Sequence, residues 1–233
     1  MKECIILAGG LGTRLQSVVN DVPKCMAEVG GKPFLYHLFD YLSTQSFDHV
    51  ILSLGYKANS VVEWLQEKNY SFKVSYVIEE YPLGTGGAIK LAFEKVLGQE
   101  AFVMNGDTFF NINTNFLLDF HTNKSAAISI ALKLMVDFDR YGSVELDGDD
   151  RIVSFCEKKY MKQGLINGGI YIINKSIFSE LNLPEKFSFE NDVLYSHTED
   201  LSIYGCPQDN YFIDIGIPSD FEKANIDFGA KIK

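Results

Sequence analysis

The sequence has few of the features that stabilise a small extracellular fold or anchor a chain in a membrane. Its 233 residues include four cysteines, and no two of them have the C-x-x-C spacing of a zinc or redox site. The four histidines form no pair with metal-ligand spacing. No apolar run has the length of a membrane span, and the N-terminus has no secretory signal. We therefore expect a reduced, soluble, cytoplasmic protein with no membrane partner.

Basic residues are also scarce relative to acidic ones. The chain has 21 Lys and Arg against 31 Asp and Glu, a formal net charge of −10. A nucleic-acid binder needs a basic face that neutralises phosphates, so no nucleic-acid partner is expected. Because 46% of the residues are hydrophobic, the composition excludes a disordered chain and favours a globular protein with one sizeable core.

The first half of the sequence alternates buried strands with amphipathic helices. Apolar runs predict strands at 4–8, 49–54, 72–78 and 101–104. Helical spacing predicts helices at 33–43 and 84–97, and Ser60 with Glu63 has the spacing of a capping box that begins another. This alternation predicts an α/β fold with a Rossmann-like, doubly wound sheet.

The second half predicts strands with few helices between them. The strand segments are 126–134, 142–146, 151–156 and 165–173. Ser219 and Glu222 form a second capping-box pattern and predict a C-terminal helix. Since no linker or repeat separates the halves, we expect them to share one mixed sheet within a single three-layer α/β/α domain, residues 1–233.

A glycine-rich loop follows the first predicted strand. Ligands of open α/β sheets bind at the carboxyl ends of strands, and glycines there let backbone N–H groups approach an anion closely. Gly9, Gly10 and Gly12 lie in this loop, and Thr13 and Arg14 add a hydroxyl and a cation. The chain lacks the P-loop string, and Leu15 occupies the third glycine position of the dinucleotide motif. A plain strand-to-helix turn is the alternative, but with Lys24 nearby the set favours phosphate binding.

Two aspartates lie at predicted strand ends beside glycine, Asp107 after Asn105-Gly106 and Asp214 before Ile215-Gly216. A buried carboxylate is costly unless it is paired, hydrogen-bonded or metal-bound. Two carboxylates without a neighbouring His or Cys suit a hard cation such as Mg²⁺. Turn-capping aspartates are an equally good interpretation of each residue taken alone.

Together these motifs resemble the sugar-1-phosphate nucleotidylyltransferase family, and the resemblance covers essentially the whole chain. Its parts are LAGGLGTRL at 7–15, PK at 23–24, PLGTGG at 82–87, NGD at 105–107, EK at 157–158, NGGIY at 167–171 and the segment around Asp214. Within that family, FSFE at 187–190 and YFIDIGIP at 211–218 resemble bacterial D-glycero-α-D-manno-heptose 1-phosphate guanylyltransferases. Cys25 and Lys159 stand where the family usually has proline, and neither change removes a charged group.

The resemblance implies a fold of the nucleotide-diphospho-sugar transferase type and a reaction between two substrates. These are a nucleoside triphosphate, with GTP favoured, and a sugar 1-phosphate whose phosphate attacks the α-phosphorus and releases pyrophosphate. It places nucleotide binding at about 1–125 and sugar binding at about 126–233. The residues implied as catalytic are Arg14, Lys24, Asp107, Lys158 and Asp214, with Asp107 and Asp214 binding Mg²⁺. Those implied for the nucleotide are Leu7, Ala8, Gly9, Gly10, Gly12, Thr13, Gly84 and Thr85, and those for the sugar are Gly142, Glu157, Asn167 and Gly168.

The identities of the base and the sugar rest on weaker signals. Guanine presents N–H donors, so we expect Glu80, with Glu79 as the alternate, to accept from it, while a solvated acidic turn explains both residues equally well. Mannose 1-phosphate and a uridylyltransferase acting on an amino sugar are near alternatives. An NAD(P)-dependent oxidoreductase and a non-catalytic nucleotide-sugar sensor are alternatives of other classes. The sequence leaves the oligomeric state open, a homo-oligomer included.

Overall fold

A mixed sheet covered by helices on both faces forms the centre of the fold. The structure, a computed structural model, describes residues 1–10, 22–66 and 69–230. The first half contains β1 (Glu3–Leu7), β2 (Glu28–Val29), β3 (Lys32–Pro33), α1 (Phe34–Thr44), β4 (His49–Leu54), α2 (Ala58–Gln66), β5 (Lys73–Ile78), α3 (Gly84–Ala92), β6 (Glu100–Asn105), β7 (Thr108–Phe110) and α4 (Thr114–Lys124). The second half contains β8 (Ile128–Phe138), β9 (Ser143–Leu146), β10 (Ile152–Phe155), β11 (Met161–Asn174), α5 (Ile177–Glu180), β12 (Ile203–Gln208), β13 (Phe212–Asp214) and α6 (Pro218–Gly229).

The two halves share this sheet. β1 lies between β4 and β6 and pairs in parallel with both, and β5 extends the parallel part beyond β4. On the other side of β6, β11 runs antiparallel and has β8 and β9 as further antiparallel neighbours. Nine of the thirteen described strands thus form one mixed sheet, and two separate two-stranded sheets pair β2 with β3 and β7 with β13. This confirms the predicted α/β class, while the boundary near residue 125 stays a prediction.

Alternate residues of β1 pack into separate clusters on opposite faces of the sheet. Ile6 belongs to the cluster that contains Phe39 of α1, and Ile5 to the cluster that contains Ile89 of α3. A strand buried on both faces has no polar side to show, which explains its uninterrupted apolar run. Within the described residues, no helix combines the length and the apolar character needed to cross a membrane.

Both predicted capping boxes are wrong. α2 begins at Ala58, and Ser60 lies inside it with its hydroxyl donating to the Lys57 carbonyl at 2.9 Å. α6 begins at Pro218, one residue before Ser219, and Ile217 at its N-cap position has no side-chain cap. Proline at the first helical position pre-sets the helical φ and has no N–H that needs a partner, so this helix begins without a serine cap.

The predicted strand lengths also differ in the second half. β8 continues to Phe138, and β11 begins at Met161, so each is longer than its apolar run. The two strands pair from Met161, which lies opposite Phe138. Several residues near this end have partly exposed side chains, so backbone pairing and not burial makes the strands longer there. The short strand β7 was not predicted, because three residues carry too little periodicity, whereas β13 ends at Asp214, where the sequence predicts a strand end.

A buried polar network ties the strands together at the end of the sheet where β1 and β4 begin. Glu3 is 1% exposed, and its carboxylate accepts hydrogen bonds from the backbone N–H groups of Leu97 at 2.9 Å and Gly98 at 2.7 Å. The same carboxylate lies 2.8 Å from His49 Nδ1, and His49 Nε2 lies 2.9 Å from Ser75 Oγ. Each polar group of this network has its hydrogen-bond partner within the network, so the removal of one side chain leaves other polar groups without partners.

We expect Glu3→Ala to lower the free energy of unfolding by about 3 kcal/mol, because it removes the hydrogen-bond partner of the buried His49 and of two partly buried backbone N–H groups. Urea unfolding followed by circular dichroism measures this. Glu63→Ala, at an exposed position of α2, is the control and should change stability by no more than about 0.5 kcal/mol. Equal stabilities of the two variants would contradict the assigned importance of the network.

Candidate active site

A cavity of about 620 Å³ opens where the parallel strands β1, β4 and β6 end, a common volume for a small-molecule site. Its walls come from the segments that follow these strands and from the start of α3. The lining residues are Leu7, Ala8, Gly9, Gly10, Lys24, Cys25, Ser53, Gly55, Tyr56, Glu79, Glu80, Tyr81, Pro82, Gly84, Thr85, Ala88, Asn105, Gly106, Asp107 and Glu190.

Lys24 and two aspartates meet at one edge of this cavity. Lys24 Nζ lies 2.5 Å from Asp107 Oδ2 and 3.7 Å from Asp214 Oδ1. The Lys24 side chain is only 14% exposed, whereas about a third of each carboxylate side chain remains open to solvent. One ammonium group thus bridges two acids that are more than a hundred residues apart in the sequence.

A small two-stranded sheet brings the aspartates together. β13 pairs antiparallel with β7, which places Asp214 opposite Thr108, the residue after Asp107. The backbone N–H of Ile215 donates to the Asp107 carbonyl at 3.0 Å and extends this pairing. Lys24 begins a 3-10 turn directly after Pro23, whose φ of −60° directs the chain into that turn.

The electrostatics of the cluster favour a cation. Burial raises the pKa of Asp214, and the neighbouring charge of Asp107 raises it further, while Lys24 and the N–H of Gly216 act in the opposite direction. The net effect is unfavourable for the ionised acid, so additional positive charge at this edge would be stabilising. Among the described residues, no group of three or more His, Cys, Asp or Glu side chains could hold a metal ion. One or two carboxylates are nevertheless the usual protein ligands of a magnesium ion that is shared with substrate phosphates.

The backbone approaches itself closely where the cavity begins. A Cβ at Gly106 would lie 2.4 Å from the Leu7 carbonyl oxygen, so only glycine lets β6 end against β1 there. Gly84 has a φ of +74°, and a Cβ on it would lie 2.5 Å from the Phe187 carbonyl oxygen. Both positions require glycine for packing, in addition to any ligand contact.

The structure places most of the predicted nucleotide-binding residues on this cavity. Those that line it are Leu7, Ala8, Gly9, Gly10, Glu80, Gly84 and Thr85. Gly12, Thr13 and Arg14 lie outside the described residues. The phosphate-binding role predicted for the glycine-rich loop therefore stays a prediction.

Glu79 and Glu80 occupy different environments. Glu79 is half-buried, and an added Cβ on Gly9 would meet its Oε1 at 2.7 Å, so the carboxylate lies against the loop that follows β1. Its other oxygen accepts from the N–H of Leu83 at 2.9 Å, and burial raises its pKa. Glu80 lines the same cavity but is exposed. The geometry thus favours Glu79, the alternate of the two, as the inner acid.

A second cavity of about 470 Å³ adjoins the aspartate pair. Four residues predicted to be catalytic or sugar-binding line it, namely Gly142, Lys158, Asn167 and Asp214. Asn167 is held by its own contacts, since its amide nitrogen donates to the Tyr171 hydroxyl at 2.9 Å and its amide oxygen accepts from the Gly169 N–H at 3.0 Å. Asp214 lines this cavity and Asp107 the other, so the two cavities meet at the acids.

Two of the predicted sugar-binding residues have other surroundings. Gly168 is buried, and a Cβ there would collide with the Phe110 ring at 2.5 Å and with the Ala131 carbonyl at 2.7 Å. Glu157 is exposed and is not among the lining residues of either cavity. The sugar-binding roles of these two residues stay predictions.

Three residues that line the cavities were not predicted as site residues from the sequence. Arg140 lines the second cavity, donates to the Asp220 carboxylate at 2.5 Å and lies over the Tyr141 ring. This hydrogen bond raises the pKa of Arg140. Its position directly before Tyr141-Gly142 was an available signal. Glu190 belongs to the FSFE motif, but neither Glu190 nor Tyr195 was predicted as a site residue, because only the fold brings their segment to the first and second cavities.

Comparison with known proteins identifies the family. The model of the family described as Nucleotidyl transferase matches residues 3–230, so the chain belongs to that family and the resemblance stated from its motifs is confirmed. D-glycero-alpha-D-manno-heptose 1-phosphate guanylyltransferase of Aneurinibacillus thermoaerophilus is 47% identical over 95% of this chain and 96% of its own. The protein of the same name from Campylobacter jejuni subsp. jejuni serotype O:2 is 49% identical over 94% of this chain and 96% of its own.

A solved structure agrees with these relatives. HddC from Yersinia pseudotuberculosis is 41% identical, superposes with a TM-score of 0.89, and the match covers 98% of this chain and all of that one. The same protein complexed with GMP-PN gives a TM-score of 0.89 at 40% identity. Nucleotidyltransferases of this family generally use a divalent metal ion.

We expect Asp214→Asn to raise the midpoint of thermal unfolding at neutral pH in the absence of divalent metal, while turnover falls by about 10- to 100-fold. The raised pKa means that folding disfavours the ionised acid above its unfolded pKa. The stabilisation by asparagine is therefore complete at pH values above the folded pKa of Asp214, declines as the pH falls below that value, and is absent below the unfolded pKa, where the acid is protonated in both states.

Thermal unfolding of both proteins between pH 3 and 8 tests this, with Asp209→Asn, in an exposed pair with Lys133, as the control. A lower midpoint for Asp214→Asn at neutral pH would contradict the electrostatic argument.

Proposed function

We propose that this protein transfers GMP from GTP to D-glycero-α-D-manno-heptose 1-phosphate, releasing pyrophosphate and forming a GDP-sugar. The observation that carries the proposal is the cluster of Lys24, Asp107 and Asp214 where the two cavities meet. The sequence identity of 47% and 49% to enzymes named for this reaction supports the choice of sugar. The complex of HddC with GMP-PN supports the choice of nucleotide.

The chemistry needs no general base. A phosphate monoester has its second pKa near ~6, so the sugar 1-phosphate is already largely a dianionic nucleophile at neutral pH. The protein's contribution is to position two anions and to neutralise the charge that develops. The chain carries a net charge of −10, which repels anionic substrates at long range. The positive charge that neutralises the two substrates therefore has to lie within the site itself.

Each cavity supplies part of this arrangement. In the proposed mechanism the first cavity holds GTP, with Lys24 beside the leaving pyrophosphate and Arg14 assisting it. The second cavity holds the sugar 1-phosphate, with Lys158 near its phosphate and Gly142 and Asn167 near its hydroxyls. The sugar phosphate would then approach the α-phosphorus from the side opposite to the leaving group, across the aspartate pair.

We propose Mg²⁺ as the divalent ion, with Asp107 and Asp214 as its protein ligands. Carboxylate oxygens are the donors that this ion prefers, and its remaining positions are commonly filled by phosphate oxygens and water. When bound, the ion supplies positive charge to the triphosphate oxygens. Asp107 and Asp214 would hold the ion, and Lys24, which bridges the two acids in this structure, would then be available to the pyrophosphate.

The cytoplasm is the proposed compartment of the reaction. All four cysteines are free thiols, as expected where thiols are kept reduced. We also propose that residues of about 1–125 bind the nucleotide and residues of about 126–233 bind the sugar. The oligomeric state is left open, a homo-oligomer included.

For the base, we propose that a carboxylate of the Glu79–Glu80 pair accepts from the N1 and N2 hydrogens of guanine. Glu79 is favoured because it lies against Gly9 inside the cavity, whereas Glu80 is exposed. Burial strengthens a hydrogen bond to a carboxylate, and it also penalises a base without matching donors.

Other candidates are weaker on specific grounds. The family match argues against an NAD(P)-dependent oxidoreductase. The Lys24–Asp107 pair argues against a non-catalytic sensor, which needs no group beside a leaving pyrophosphate. Mannose 1-phosphate and amino-sugar 1-phosphates remain as competing substrates. Pyrophosphate release measured for four nucleotides against heptose, mannose and amino-sugar 1-phosphates tests the proposal, and turnover confined to another pair would overturn it.

We expect Lys24→Ala to reduce turnover by about 100- to 1,000-fold, because it removes the cation that stabilises the leaving group. Pyrophosphate release at saturating substrates measures the loss, and far-ultraviolet circular dichroism checks the fold. Lys133→Ala, which breaks an equivalent lysine–aspartate pair on the surface, is the matched control and should retain full activity. Normal turnover of Lys24→Ala would refute its assigned role.

We expect Glu79→Gln to reduce the preference for GTP over UTP by about 10-fold or more, since the amide is a poorer acceptor and presents a donor to guanine. The ratio of kcat/KM values for the two nucleotides measures this. Glu80→Gln is the comparison. A loss of preference in Glu80→Gln alone would assign the role to Glu80, and an unchanged preference in both variants would show that no carboxylate of this pair reads the base.

A further inference from the structure

Glu190 lines the first cavity although it comes from the second half of the chain, and no role discussed so far uses it. It lies near the start of a π-helical segment, Phe189–Tyr195, a rare geometry that is found most often at functional sites. The segment preceding it packs against the start of α3, where the Phe187 carbonyl accepts from the Gly86 N–H at 3.0 Å.

Neighbouring hydroxyl groups hold the Glu190 carboxylate in a defined orientation. Thr85 Oγ1 donates to Glu190 Oε2 at 2.7 Å, and Ser188 Oγ donates to the same oxygen at 3.1 Å. Thr85 is itself fixed, since its hydroxyl accepts from the Phe189 N–H at 2.9 Å. Of the hydrogen bonds within the described residues, none reaches Glu190 Oε1. One oxygen is therefore anchored, and the other is available as an acceptor.

The charge of Glu190 also affects two tyrosines at the second cavity. Burial raises the pKa of Tyr195 most, and the nearby charge of Glu190 raises it further. Tyr195 lines the second cavity and belongs to the same π-helical segment. The Glu190 charge acts in the same direction on Tyr171, whose hydroxyl accepts from Asn167 of that cavity. Glu190 thus lies between the nucleotide side and the sugar side of the site.

Both proposed substrates carry ring hydroxyls. We propose that Glu190 Oε1 accepts a hydrogen bond from a ring hydroxyl of a bound substrate, either the ribose of the nucleoside triphosphate or the sugar ring of the sugar 1-phosphate. The inference rests on the proposed function for the identity of these substrates. A carboxylate is a strong acceptor for a sugar hydroxyl, and with its other oxygen anchored it loses little freedom on binding.

Substrates that lack single hydroxyl groups test this contact. Glu190→Gln and Glu190→Ala are compared with wild type on GTP, 2′-deoxy-GTP and 3′-deoxy-GTP, and on the sugar 1-phosphate and its monodeoxy analogues. Glu180→Gln, at an exposed position of α5 outside both cavities, is the control and should behave as wild type. Thermal unfolding of each variant separates a loss of contact from a loss of fold.

We expect Glu190→Ala to lower kcat/KM for the intact substrates by about 10- to 100-fold, the value of a hydrogen bond to a charged group. On the one analogue that lacks the contacted hydroxyl, the substitution should change kcat/KM by less than about twofold, because the contact is already gone. A 2′- or 3′-deoxynucleotide with this behaviour assigns the ribose, and a deoxy sugar assigns the sugar 1-phosphate.

An equal penalty on every analogue would show a purely structural role, and the absence of any penalty would show no contact. Either result overturns the proposal. Failure of the proposed function would instead appear as absence of wild-type turnover. In that case titration calorimetry measures the binding of GTP, the sugar 1-phosphates and their deoxy analogues to wild type and to Glu190→Ala. The substitution should weaken the binding of every ligand that carries the contacted hydroxyl and leave the analogue without it unchanged.

Discussion

Two carboxylates held around one ammonium group are the arrangement on which the rest of this site depends. Asp107 and Asp214 repel one another, and both burial and this repulsion raise the pKa of Asp214. Lys24, 2.5 Å from Asp107, offsets part of that cost. The pairing of β13 with β7 keeps the two acids together despite their repulsion. A cluster of two acids and one ammonium group is well suited to a divalent ion, because the ion supplies the positive charge that the cluster lacks.

The fold turns this cluster into a junction between two cavities. Parallel strands of the first half end at the larger cavity, and antiparallel strands of the second half form the wall of the smaller one. Since β11 pairs directly with β6, one continuous sheet fixes the distance between them. The segment that carries Phe187 and Glu190 then crosses back from the second half to the start of α3. A transfer between two bound anions requires this kind of rigid relative placement.

Sequence reasoning succeeded where local signals and burial coincide. The strand His49–Leu54 was predicted at its observed bounds, because every one of its residues is buried and the pattern is unbroken. Reasoning failed where a different local rule prevailed, as at α6, where Pro218 set the helix start instead of the Ser219 pattern. For the adjacent acids Glu79 and Glu80, the structure shows that Glu79 lies further inside, which their order along the chain does not reveal. The role of either acid in binding the base stays a prediction.

Local signals along the chain are sufficient to predict the α/β class, the family and most residues at the ends of the central strands, because strand burial, glycine spacing and charge are local properties. Three contacts become visible only in the folded chain: Lys24 bridges Asp107 and Asp214, Arg140 pairs with Asp220, and Glu190 reaches the first cavity. These contacts join residues about 80 to 190 positions apart along the chain. Such contacts follow from strand order and register, which hydrophobic periodicity does not encode.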